Sequence, residues 1–214
     1  MLSLSRKDVV GSLVTGVTAG VIVWQLAVHL LEAPSWLGVP FTALPVVTPL
    51  LWIIGVELGH WLGRRWHFFS QFGRFVAIGL TNAAVDFGLF NLLFAVTGRK
   101  PGLFLWINIV TFVVAVTHSF LWNKFWTFES NSTHNAGREF GAFILVNVIA
   151  LCFNVGTSYL TFRELVALAD IGVTVAANIG KVAGSLVGLI FNFVGFRLVV
   201  FKKSHEPFDD PYVV

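Results

Sequence analysis

The sequence predicts an all-α integral membrane protein with six transmembrane helices arranged as three hairpins, the last two hairpins being an internal duplication. Three observations carry this expectation. The 214-residue chain is 56% hydrophobic and only 12% charged, with a mean hydropathy of +0.81, far more apolar than an ordinary globular domain. Its formal charges separate long charge-free runs, each near the roughly 20 residues a helix needs to cross a bilayer. Its Lys and Arg residues sort to one side of those runs. A soluble chain of this length can bury a core but not several such runs as well, so soluble enzymes are the first class excluded.

Taken in order, helices are expected at 9–31, 41–63, 73–97, 102–126, 139–162 and 173–200. Residues 9–31, 101–123 and 140–162 each give 23 positions without a formal charge, and 33–56 give 24 but are proline-rich. Residues 75–98 are interrupted only by Asp86 and 171–196 only by Lys181. Turn signals divide the helices into pairs: Ala33-Pro34-Ser35, then Gly98-Arg99-Lys100-Pro101-Gly102, then 163–170. Residues 64–74 mix Trp66, Phe68, Phe69 and Phe72 with Arg and His, the composition of a connector lying at the headgroups. The expected organisation is therefore an N-terminal hairpin and connector at 1–71, a four-helix domain at 72–203, and a disordered cytoplasmic tail at 204–214.

Orientation follows from the basic residues. Arg6, Lys7, Arg64, Arg65, Arg74, Lys124, Arg138, Arg197, Lys202 and Lys203 fall on one side of the six spans, against Arg99, Lys100 and Arg163 on the other. Ten against three makes both termini cytoplasmic in a multi-pass protein of the cell (plasma) membrane. Arg6-Lys7 before an apolar run resembles a signal peptide, but the run is too long and lacks a small-residue cleavage site, so it reads as a retained anchor. The formal charge of +3 and pI near 9.3 do not point to nucleic acid, because the basic residues form no stripe. The sole cysteine, Cys152, permits no internal disulfide.

The chain also matches itself. At an offset of 65, Arg74-Phe75 falls on Glu139-Phe140 and Asn82 on Asn147; at 73, Phe120 falls on Phe193, Lys124 on Arg197 and Phe128 on Phe201. A duplicated hairpin follows, with any symmetry axis along the membrane normal.

The stretches Arg74-Phe-Val-Ala-Ile-Gly-Leu-Thr-Asn-Ala-Ala-Val-Asp86-Phe-Gly-Leu-Phe, Phe120-Leu-Trp-Asn-Lys-Phe-Trp-Thr-Phe128 and Asn192-Phe-Val-Gly-Phe-Arg-Leu-Val-Val-Phe201 resemble the GtrA-like family over roughly residues 72–203. The resemblance implies a four-helix membrane domain associated with polyprenyl-phosphate-linked sugars in cell-surface glycan assembly. Such domains are proposed to flip the lipid-linked sugar and also occur fused to polyprenyl-phosphate glycosyltransferases. Residues 1–71 lie outside that four-helix pattern.

Polar groups within the apolar runs suggest where such a ligand would bind. Asp86 lies 12 residues after Arg74, ~18 Å along a helix and so near the midplane, where a carboxylate costs roughly 2.5–3.5 kcal/mol on insertion scales. Asn82 stands one turn earlier on the same face. His118, Asn147 and Asn192 lie in the same leaflet by their distances from Lys124, Arg138 and Arg197. With Asn82, Ser119 and Asn123 they are expected to form a hydrogen-bonding zone inside a basic ring of Arg74, Lys124, Arg138 and Arg197. Fixed cations hold phosphate, while amides and imidazole replace water around sugar hydroxyls. Each residue also has a plainer role open to it, in topology or in gluing helices.

Gly180, Gly184 and Gly188 recur every four residues as a helix-packing stripe that Asn192 continues, and at the offset of 73 the counterparts of Gly184, Gly188 and Asn192 are the small residues Thr111, Ala115 and Ser119. Lys181 beside the stripe is expected to snorkel outward. Glu57 and His60 share a helical face in the N-terminal hairpin, as a proton-sensitive pair or as groups that hydrogen-bond within the bundle or reach towards the interface. No His spacing suits a metal, no cofactor motif is present, and neither a Walker loop nor a nucleophile elbow occurs, so no enzyme is expected. The function expected is translocation of a polyprenyl-phosphate sugar. Its rival is a non-transporting module that docks a membrane glycosyltransferase and presents its lipid substrate. A proton-coupled exporter of organic cations is a third class; the one-sided charge bias argues against its dual-topology form.

Overall fold

The computed structural model describes residues 4–30, 35–36, 39–66, 68–98, 100–130, 136–168 and 173–201. Among these residues six α-helices follow one another: α1 (Arg6–Leu30), α2 (Leu44–Gly63), α3 (Phe68–Val96), α4 (Phe104–Trp122), α5 (Ala136–Leu168) and α6 (Val173–Gly195). Between α1 and α2 a two-residue antiparallel ladder pairs β1 (Ser35–Trp36) with β2 (Val39–Pro40). Among the described residues, five segments are long and apolar enough to cross a membrane: Arg6–His29, Phe41–Gly63, Phe68–Val96, Ala136–Ala167 and Val182–Val200.

Some boundaries differ from those expected, for local reasons. The connector at 64–74 is absorbed largely into α3, which starts at Phe68 and runs through Gly73, a glycine that packs against α2 and does not end the helix; Phe68 and Phe69 lie 4.1 Å apart and Phe69 meets Phe72 edge-on. α5 runs on through the expected turn at 163–170 as far as Leu168, Arg163 and Glu164 pairing on its surface at 2.7 Å. α3 does stop where its turn signal lies: Gly98 adopts φ 72° after the last helical carbonyls, the left-handed cap that glycine takes most readily. The tail beyond Phe201 and the Lys181 side chain fall outside the described residues.

α4 and α6 both end in five-residue π turns, Asn123–Thr127 and Phe196–Val200, closed by Phe128 N–H donating to Asn123 O (2.9 Å) and Phe201 N–H to Phe196 O (2.8 Å). Their starting residues, 123 and 196, are separated by the same 73 positions as the sequence match. π turns are rare and carry one more residue per turn than the α-helix, so two at equivalent positions are a specific local coincidence. Phe120, Phe128, Phe193 and Phe201 are all buried.

The chain divides into two compact units, residues 1–129 and 130–214. In the first, glycines let backbones meet. A Cβ on Gly16 would strike Pro49 and one on Gly20 would strike the Leu44 carbonyl, so α1 lies against α2; Gly59 and Gly73 do the same for α2 and α3. The core gathers Val56, Ala77, Ile78 and Trp126, with Leu4, Trp52 and Trp122 against it. Trp52 Nε1 donates to Thr81 Oγ1 (3.1 Å), and Thr81 Oγ1 donates in turn to Ala77 O (2.8 Å).

The second unit is α5 packed on α6. Phe143 stacks on Phe196 at 4.2 Å and Phe153 on Phe191 at 3.9 Å. The Gly180, Gly184 and Gly188 stripe faces α5 at Ser158, Phe162 and Asn154. A side chain at Gly184 would collide with Ser158 Oγ and the Asn154 carbonyl. Gly184→Leu is therefore expected to lower stability by about 1–3 kcal/mol or more through overpacking. Gly156→Leu on α5, with nothing within 4 Å of its Cβ, should be neutral or better; denaturation in mild detergent compares them.

Candidate functional site

The densest polar cluster lies where α1 and α3 begin and α2 and the first π turn end. It starts with a helix cap. Ser5 precedes α1 and Asp8 is its third residue: Asp8 N–H donates to Ser5 Oγ (3.2 Å), while Ser5 N–H and Oγ–H donate to Asp8 Oδ2 (3.0 and 2.8 Å). This is a capping box, and it fixes the carboxylate over the helix N-terminus. Asp8 is fully buried.

Three other elements converge on that carboxylate. Trp126 Nε1 donates to Oδ1 (3.2 Å) from the π turn, His60 Nε2 stands 3.2 Å from Oδ2 at the end of α2, and Arg74 Nη2 donates to Oδ2 (3.2 Å) from α3. Arg74 Nε also lies 2.6 Å from Oδ1, at an angle that makes no hydrogen bond; it is an ion-pair contact only. Arg74 Nη1 turns the other way, donating to Trp126 O (3.1 Å) and Glu129 Oε1 (2.8 Å). Glu129 has φ 51°, which among the described residues no other non-glycine residue shares in sign, and its side chain is 45% exposed. Arg74, 8% exposed as a residue, is thus held between two carboxylates.

Of the expected ligand-binding residues in the first unit, Lys124 is 1% exposed in the π turn with Nζ 6.0 Å from the Phe125 ring centroid, and Asn123 is also 1% exposed. Asn123 Nδ2 donates to Ser119 O (2.9 Å), leaving its Oδ1 buried without a partner. Among the described residues Asn82 Oδ1 on α3 and His118 Nδ1 on α4 are likewise buried and unpartnered. Asp86 is half-buried. In the second unit Arg138 is exposed, Arg197 is half-buried in its π turn, Asn147 Nδ2 donates to Phe143 O (2.8 Å), and Asn192 Oδ1 is buried without a partner.

Sequence reasoning anticipated Arg74 but not Asp8, Trp126 or Glu129. The Ser5-x-x-Asp8 spacing is a legible capping box and could have flagged Asp8 as ordered; nothing local announces that Arg74, 66 positions on, is its partner. His60 was expected to pair with Glu57 or within the bundle, and the structure gives it Asp8.

Residues 74–201 match the family model described as the GtrA/DPMS transmembrane domain, more than half of the chain. The chain belongs to the GtrA/DPMS transmembrane-domain family. It is also 30% identical over 138 residues to the uncharacterized membrane protein YngA of Bacillus subtilis (strain 168), covering 64% of this chain and 84% of that protein. No solved structure matches. The GtrA family match fits a multi-pass integral membrane protein associated with polyprenyl-sugar glycosylation. The matched region begins at Arg74 and closes at Phe201, the end of the second π turn, so Asp8 and His60 come from helices that precede the family domain.

Proposed function

We propose that this GtrA-family chain translocates a polyprenyl-phosphate-linked sugar across the plasma membrane for cell-surface glycan assembly, with both termini cytoplasmic. The observation that carries the proposal is the set of buried, unpartnered polar atoms in the first half of the family domain: Asn82 Oδ1, His118 Nδ1 and Asn123 Oδ1. Each costs about 1–3 kcal/mol when left unsatisfied, and sugar hydroxyls would supply donors to all three. Asn192 Oδ1 repeats the feature in the second half. Buried Arg74 and Lys124 supply cations for the phosphate in the first unit and Arg138 and Arg197 supply them in the second, and Asp86 supplies a polar group for the substrate. The paired π turns support a duplicated hairpin whose halves shift during transport. No catalytic step is assigned to the chain.

Arg74 favours a second reading, because its guanidinium is already neutralised by Asp8 and Glu129: a module that docks a glycosyltransferase and presents its lipid without moving it. Purified protein in liposomes loaded with a labelled polyprenyl-phosphate sugar separates the two. Translocation by the protein alone, reduced about 30-fold by Asn82→Ala with His118→Ala if each lost contact costs roughly 1 kcal/mol, is the expected result. A stoichiometric complex with the transferase and no translocation would replace it by the docking module.

A further inference from the structure

We infer that Arg74, His60 and Trp126 form an anion site for the phosphate group of a phosphate ester, and that Asp8 of α1 is its resident occupant, exchanged for phosphate when ligand binds. This rests on the polyprenyl-phosphate reading above and assigns to the N-terminal helices control of access to that site.

The donors define the ligand. The guanidinium and the indole N–H can only donate, and His60 does so in the tautomer protonated at Nε2; what they surround must be an acceptor, and beside a buried Arg it must be an anion. Asp8 meets that need imperfectly. Its Oδ2 takes contacts from Ser5 N, Ser5 Oγ, His60 Nε2 and Arg74 Nη2, more than the roughly two lone-pair directions of a carboxylate oxygen. Arg74 Nε meanwhile has its N–H buried without a hydrogen bond, although Oδ1 is 2.6 Å away. A phosphate monoester has three non-bridging oxygens: two accept Nε and Nη2 side by side, leaving the third for Trp126 and His60; in a sugar-linked diester the two non-bridging oxygens take all four donors between them, roughly two each. Glu129 stays on Nη1 and keeps the fork aimed inward.

The parts are also arranged for exchange. The three donors stand on α2, α3 and the π turn, whereas the occupant stands on a fourth element, in the first turn of α1. Helix ends are the parts that open most readily. When that turn opens, Asp8 and its Ser5 cap leave together and the three donors remain on their own helices.

The test uses the full chain in nanodiscs, labelled with 5-fluorotryptophan, the Trp126 fluorine signal being assigned by Trp126→Phe. Short-chain polyprenyl monophosphate is titrated, with the parent polyprenol and inorganic phosphate in parallel, and binding is followed independently by native mass spectrometry. The expected result is a saturable shift of the Trp126 signal with the lipid phosphate and none with the polyprenol. Asp8→Asn should tighten binding at least about ten-fold, Asp8 holding the site about nine-tenths of the time or more, and Asp8→Glu should not. Equal affinity for inorganic phosphate would support the site with soluble phosphate as its ligand; tighter lipid binding makes the source a headgroup. Lipid phosphate that binds while the Trp126 signal stays fixed, or with unchanged affinity in Asp8→Asn, overturns the inference, makes Asp8 a permanent strut and leaves the translocation reading standing. Absence of phosphate binding to folded wild type and Asp8→Asn overturns both. If Asp8→Asn does not fold, the wild-type Trp126 titration decides alone.

Discussion

Arg74→Ala is expected to cost on the order of 3–5 kcal/mol of folding stability, the range for breaking a buried ion pair from one side. Asp8 is fully buried, and without the guanidinium its charge would keep only neutral donors: Ser5, Trp126 and His60 in its Nε2–H tautomer. Glu129 would lose its partner too, but at 45% exposure water takes over at little cost. Arg74→Lys should recover only part of the loss, because one ammonium cannot reach Asp8, Glu129 and the Trp126 carbonyl in the geometry of the planar fork. The double variant Asp8→Asn with Arg74→Gln, which removes both charges, should be more stable than Arg74→Ala alone. Reversible denaturation in detergent measures all four. A wild-type midpoint for Arg74→Ala would mean that the pair contributes nothing to the folded state.

This cluster also marks where the sequence ceases to be legible. Helix number was readable because bilayer thickness sets a length that charge-free runs either reach or do not, and Gly98 was readable because a left-handed cap favours one residue type. Those are local signals. The start of α3 at Phe68 and the end of α5 at Leu168 were less so, since Arg, His and Glu at a helix end look like loop by composition while their backbone continues the helix. The Asp8–Arg74 pair joins the first turn of α1 to α3 across 66 positions, and Trp126 lies 118 positions from Asp8; no period or turn rule spans such gaps. The basic residues could be sorted by side from the sequence. The partner of each was not legible, because charge bias reports which side of the membrane a residue lies on and says nothing about what it touches.

Asp86→Leu is expected to move stability and transport in opposite directions. Asp86 lies on α3, ~18 Å along the helix from Arg74, half-buried, and among the described residues the structure gives its carboxylate no hydrogen bond or ion pair. A carboxylate in that position carries a desolvation cost without the bonds that would offset it. Replacing it by leucine should stabilise the protein by up to roughly 2.5–3.5 kcal/mol on insertion scales, and Asp86→Asn by less, since the amide remains polar. Transport of the lipid-linked sugar should nevertheless fall to the level of empty liposomes with leucine, and a smaller loss with asparagine would separate hydrogen bonding from charge. A structural carboxylate gives the reverse: both variants would unfold more readily, and any transport loss would track the fraction unfolded. An acid within an apolar helix whose carboxylate has no hydrogen bond or ion pair among the described residues lowers stability unless something binds it, so the sign of the stability change discriminates the two roles before any substrate is identified.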